Sequence, residues 1–159
     1  IYQVGLTLYR MANGNDHFNA QFEAYGPPEN FDRAAFRFDV RNGKFPDRSS
    51  FLPHIPSTLR NVIKRCLEID PANRYQSAID VVNAMAGIDG ECLDWQFQPQ
   101  AEKMIWTKRR EGAEFEIVVN DDGSSVGYKS VNGAAKRRIG DACKAKIKDR
   151  DLRKLFSEY

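Results

Sequence analysis

Near residue 95 the spacing of apolar side chains changes from a repeat of 3.6 to a repeat of 2. A repeat of 3.6 lays apolar residues along one stripe of a helix, and a repeat of 2 lays them on one face of a strand. No single element satisfies both. The sequence therefore predicts an α+β chain, with helices first and a small antiparallel sheet afterwards. The 159 residues suffice for one ordinary domain or two small ones. The expected division is a helical part over 1–90, a linker over 91–100, and a three-stranded β-meander with one or two helices over 101–159.

In the first part, Val4, Leu6, Leu8, Tyr9 and Met11 leave almost no polar face on a helix that Asn13-Gly14 should stop. A helix apolar all round is expected to be buried on all sides. A helix from about Asp16 remains open for the segment up to Tyr25, ended by Gly26-Pro27-Pro28. Another helical stretch is expected within 29–40, with Phe31, Ala35, Phe36 and Val40 facing inward. Arg48 to Pro56 reads as loop. Ser57 should cap a helix whose stripe is Leu59, Val62, Ile63, Cys66 and Leu67, ending before Asp70-Pro71. Ser77 and Asp80 have the spacing of a capping box, ahead of Ala78, Val81, Val82 and Met85.

In the second part, Trp95 and Phe97 alternate with polar residues, as in a short strand or an ordered linker. Strands are expected over 103–109, 113–119 and 125–131, joined by Glu111-Gly112 and by the hairpin turn Asn120-Asp121-Asp122-Gly123. Asn132 is expected to cap a helix with Ile139, Ala142, Cys143 and Ile147 on one face. Leu152, Leu155, Phe156 and Tyr159 give a second helical face.

Charge is uneven. Residues 1–100 hold ten Lys/Arg and twelve Asp/Glu, whereas 101–159 hold fourteen and ten, giving −2 and +4. A candidate patch for an anionic partner is Lys129, Lys136, Arg137, Arg138 and Lys144, although a solvated charged face accounts for the same residues. Cys66, Cys92 and Cys143 are odd in number and widely spaced, which argues against a disulfide framework and a zinc site. A reducing cytoplasm is the simplest compartment. No apolar run approaches the roughly 18 residues that span a bilayer, so no membrane partner is expected. The N-terminus lacks an initiator Met and a basic leader, and reads as the cut end of a longer parent.

Two segments in the first part carry a resemblance. Tyr2 and Gly5, followed by an apolar run ending at Gly14, resemble the long central helix in the helical lobe of Ser/Thr protein kinases. There the pattern is Asp, any residue, Trp or Tyr, Ser, any residue, Gly. Gln3 stands where Ser is usual, and the Asp would immediately precede Ile1. Further on, Cys66-Leu67, Asp70-Pro71 and Arg74 are similar to the family's Cys-Leu, two residues, Asp-Pro, two residues, Arg. The resemblance covers residues 1–88 and implies structural roles for Tyr2, Gly5, Asp70, Pro71 and Arg74. In the family this Arg pairs with a Glu at the end of the activation segment, which this chain lacks.

Phosphoryl transfer needs a Gly-rich loop, a strand Lys, metal-binding Asp and Asn, and a catalytic Asp. None of their motifs occurs in the 159 residues. No catalytic, cofactor or metal residue is therefore expected in this chain, and ATP and Mg²⁺ belong only to the complete parent. His17 and His54 lack partners at catalytic spacing and are expected to be structural or exposed. The segment Gly127 to Arg138 loosely resembles the end of a double-stranded RNA-binding domain, but that domain's first helix is not evident, so nucleic acid is disfavoured. The resemblance implies part of a protein kinase with an appended regulatory or protein-binding domain. The alternatives are a non-catalytic kinase-like scaffold and an anion binder acting through the basic tail. The expected partners are the rest of the kinase domain or a second copy covering the first helix, and a protein for the tail.

Overall fold

The computed structural model describes residues 1–88 and 90–159, without the side chains of Glu91 and Cys92. The chain divides into two compact units at residues 88 and 89. The first unit is helical: α1 (Tyr2–Asn13), α2 (Asn15–Glu23), α3 (Arg33–Arg41), α4 (Ser57–Cys66) and α5 (Ala78–Met85).

Local chemistry accounts for several helix ends. The Gly14 amide donates to Arg10 O and closes α1. Asp32 caps α3 by accepting from the amides of Ala34 and Ala35. Ser77 and Asp80 form the expected capping box on α5. Helix α4 carries no side-chain cap; Pro56 precedes it and Ser57 is already helical.

The core of this unit is Tyr9, Ile55, Leu59, Ile63 and Leu67, with Val62, Cys66 and Val81 forming a second cluster. The long loop before α4 is held by polar contacts. The Tyr9 hydroxyl donates to Asp47 O or Ser50 O and accepts from Gln21 Nε2 at 2.9 Å. Buried Asn13 accepts from the Leu52 amide through Oδ1. Helix α1 is not buried all round: Gly5, Tyr9 and Asn13 face the core, whereas Val4 is 37% and Met11 76% exposed. Helix α5 likewise buries Val81 alone and leaves Ile79 and Val82 outside, so Val82 does not join the expected stripe.

The second unit is a five-stranded antiparallel meander, β1 (Gln96–Gln100), β2 (Lys103–Arg110), β3 (Ala113–Asn120), β4 (Ser125–Val131) and β5 (Arg137–Lys144), followed by α6 (Asp149–Glu158). Two expectations are corrected. Part of the supposed linker, Gln96–Gln100, is an edge strand paired with β2. The supposed helix after Asn132 is β5, so the sheet has five strands instead of three. Asn132 and Gly133 have φ of +50° and +74°, and the Ala134 amide closes the turn on Val131 O. Two successive left-handed residues are the signature of a hairpin turn, which Asn-Gly favours.

Strict alternation on β3 buries Phe115, Ile117 and Val119. Trp106 on β2 packs beside them, and Leu152, Leu155 and Phe156 of α6 cover that face. Trp95 Nε1 donates to Phe156 O at 3.2 Å and ties the start of the sheet to α6. Among the described residues no helix is long and apolar enough to cross a membrane.

Candidate functional site

Helices α1 and α4 approach closely at Gly5. A Cβ there would lie 2.7 Å from Cys66 Cβ and 2.9 Å from Leu67 Cδ2. Glycine is required because these neighbours belong to a buried, close-packed helix end and cannot move aside. Beyond α4, the Asp70 carboxylate accepts from the Ala72 amide at 2.9 Å, and Pro71 opens a short 3-10 turn. This turn delivers Arg74 back toward α1.

Arg74 is fixed from three sides. Its Nε donates to Glu68 O at 2.6 Å and its Nη2 to Ile69 O at 2.9 Å. Its guanidinium lies 5.0 Å from the centroid of the Tyr2 ring, within cation–π range. Nη1 makes no hydrogen bond among the described residues. Arg48 sits nearby, donating to Gly43 O and Leu67 O and facing Glu68 at 3.8 Å. Burial raises the Tyr2 phenol above its ordinary pKa, while Arg48 and Arg74 pull it the other way.

All five residues singled out for structural roles therefore gather at one place. Tyr2, Gly5 and Arg74 meet around the end of α4, and Asp70 and Pro71 shape the turn that brings Arg74 there. Arg48 was not anticipated. Its position in a loop without periodicity offered no signal.

The basic residues of the tail do not gather. Lys129 and Arg137 are cross-strand partners, as are Tyr128 and Arg138. Adjacent residues on a strand point to opposite faces, so Arg137 and Arg138 diverge. Lys144 lies at the other end of β5, roughly 20 Å along the strand. Lys129 Nζ sits 5.1 Å over the Phe115 ring, and Lys136 pairs with Glu116 at 3.0 Å. The groove on the sheet face opposite α6, about 740 Å³, is lined by Gln96, Gln98, Thr107, Tyr128 and both members of two ion pairs. It is not a surface of single sign. The likeness to an RNA-binding domain also loses its basic helix, since those residues form β5.

His17 Nε2 is 3.1 Å from Ser50 Oγ. His54 is buried, and burial, assisted by Arg60, lowers its pKa to about 4. Among the described residues no cluster of three or more His, Cys, Asp or Glu is arranged to hold a metal ion. Asp122 instead caps its own turn, accepting from the Ser124 amide; the Ser124 side chain first, and its amide second, lower the Asp122 pKa.

The buried histidine makes stability depend on pH. The unfolded state takes up a proton near pH 6.5, whereas the folded state resists until about pH 4. Stability contributed by neutral His54 is thus present above pH 6.5 and lost as pH falls toward 4, by roughly 2–3 kcal/mol. Urea titrations between pH 7 and 5 should show this slope in the native chain and a smaller one in His54→Gln. Equal slopes would exclude His54 as the source.

No protein family, curated protein or solved structure matches this chain.

Proposed function

We propose that residues 1–88 are the C-terminal part of the helical lobe of a Ser/Thr protein kinase. The parent chain transfers the γ-phosphoryl group of ATP to protein. The sheet unit is an appended regulatory or protein-binding domain.

The observation that supports this reading is the meeting of two motifs more than sixty residues apart in the sequence. Gly5 packs on Cys66 and Leu67, and Tyr2 lies beneath Arg74. Short motifs matched by chance have no reason to interlock. Interdependent parts of one lobe do: the small residue admits the helix end, and the ring receives the arginine that follows it. Arg74 also retains Nη1 for a carboxylate from outside these residues, in keeping with the Glu that the resemblance supplies. The chemistry itself would come from groups preceding Ile1 in the parent, because transfer depends on phosphate-positioning, metal-binding and catalytic residues.

The test compares two polypeptides. The 159-residue chain, incubated with labelled ATP, Mg²⁺ and a generic basic protein, is expected to transfer no phosphate above background. The product of the complete gene is expected to transfer it. Transfer by the 159 residues alone would contradict the reading. So would a complete gene product with no Asp directly before Ile1 and no catalytic Asp further upstream.

A further inference from the structure

The outward side of α3 carries an arrangement that the kinase reading does not use. At 100° per residue, Arg33, Arg37 and Arg41 lie within 80° of one another, with Ala34 and Phe38 continuing the same sector. Ala35, Phe36, Asp39 and Val40 are half-buried, and Phe36 packs on Phe22, Tyr25, Phe31 and Phe45. The three arginines are exposed. None forms an ion pair among the described residues. Spaced four apart, they repel one another along the helix.

Two further observations point to what would relieve that repulsion. Phe38 is 59% exposed on this side, with Lys44 Nζ 5.3 Å from its ring centroid. At the start of α3 a pocket of about 730 Å³ opens between Phe22, Gly26, Pro27, Pro28 and Phe31, and Arg33 forms part of its wall. Phe22, 40% exposed, stacks on Phe31 at 4.8 Å to make the apolar side. Glu23 is the one acidic wall residue. The pocket thus accepts an apolar side chain, while carboxylates find their partners further along the helix.

We propose that α3 and the adjoining pocket form a docking surface for an acidic polypeptide segment that carries an aromatic anchor. The anchor enters between Phe22, Pro28 and Phe31. The carboxylates of the segment pair with Arg33, Arg37 and Arg41, whose forked guanidinium groups suit bidentate contact. The rise of 1.5 Å per residue spreads these arginines over about 12 Å, the reach of four extended residues. A run of three or four acidic residues beside one aromatic therefore matches the surface. The inference is independent of catalytic activity in the parent.

The experiment uses the full 159-residue chain and fluorescence anisotropy of a labelled synthetic peptide, one phenylalanine flanked on each side by three glutamates. Control peptides replace the phenylalanine by alanine or the glutamates by lysines. Binding of the acidic peptide is expected, and it should weaken roughly tenfold or more in the Arg37→Glu, Arg41→Glu double variant. That variant should gain affinity for the lysine peptide. Both positions are exposed, and circular dichroism verifies the fold. The milder Arg37→Gln, Arg41→Gln pair should weaken binding of the acidic peptide in the same direction. The alanine peptide should lose most of its affinity for the native chain. Equal binding of the native and charge-reversed chains overturns the proposal, as does indifference to the phenylalanine. Displacement of the peptide by a heparin fragment or by phosphatidylserine vesicles at comparable concentration also overturns it, and would mark a general polyanion or lipid surface.

Discussion

Leu67→Asp is expected to lower the stability of residues 1–88 by roughly 3 kcal/mol or more, whereas Cys66→Ser should cost about 1 kcal/mol. The two positions are adjacent and equally buried, at 1% and 0% exposure. Only chemistry separates them. A carboxylate at residue 67 would stand in the core formed with Tyr9, Ile55, Leu59 and Ile63, where it must either stay charged without a partner or take up a proton. A serine at residue 66 is only slightly smaller than the cysteine and adds one poorly satisfied hydroxyl. Urea midpoints for the two variants measure the difference directly. Equal midpoints close to the native value would mean that the end of α4 is not buried against α1.

Trp106→Ala should destabilise the sheet unit by roughly 3–5 kcal/mol. Trp106 is fully buried and lies between Phe97 at 5.0 Å and Phe156 at 5.3 Å, measured between ring centroids. Removing it takes away a contact that joins β1 and β2 to α6 and leaves a cavity in the core. Trp106→Phe retains an aromatic plate and should cost less than half as much. Denaturant unfolding followed by far-ultraviolet circular dichroism distinguishes the two. A loss below about 1 kcal/mol for the alanine variant would contradict this packing.

The parts of the fold legible in the sequence are those where local and long-range forces agree. Stripes at spacings of 3, 4, 7 and 8 identified α4 because the same residues bury against α1. The capping box identified α5, and alternation with turn residues identified β2, β3 and β4. What remained hidden depends on partners distant in sequence. Ile139 and Ala142 are three apart, which suits a helix and, on a regular strand, places them on opposite faces. Both are nevertheless buried in one core. The pairing of β4 with β5 explains how: two residues on β4, from Gly127 to Ser125, span five on β5, from Ile139 to Lys144. This irregularity resets the facing of β5 between its two core residues and imitates a helical spacing. The Asn132-Gly133 pair did carry the correct signal, since it is a favoured hairpin turn, but the spacing of Ile139, Ala142, Cys143 and Ile147 behind it suggested a helix that Asn132 would cap.

The resemblance named the residues of the candidate site one by one, and not as a surface. Tyr2, Gly5, Asp70, Pro71 and Arg74 stand out singly in the sequence, whereas the stacking of Arg74 on Tyr2 needs the turn of the chain between them. The tail patch is the opposite case. Its residues cluster in sequence, and a strand distributes such a cluster between two faces, whereas the helix expected there would have gathered it.

The order of strands in the sheet is also their order along the chain. Two residues separate β1 from β2 and β2 from β3, four separate β3 from β4, and five separate β4 from β5. Every ladder therefore closes a short loop, and no strand must wait for a distant segment before it can pair. During synthesis, each newly emerged strand can cover the edge left by the one before it. The edge that stays open throughout belongs to β1, where Pro99 withholds a backbone donor from any stray strand seeking to add to the sheet.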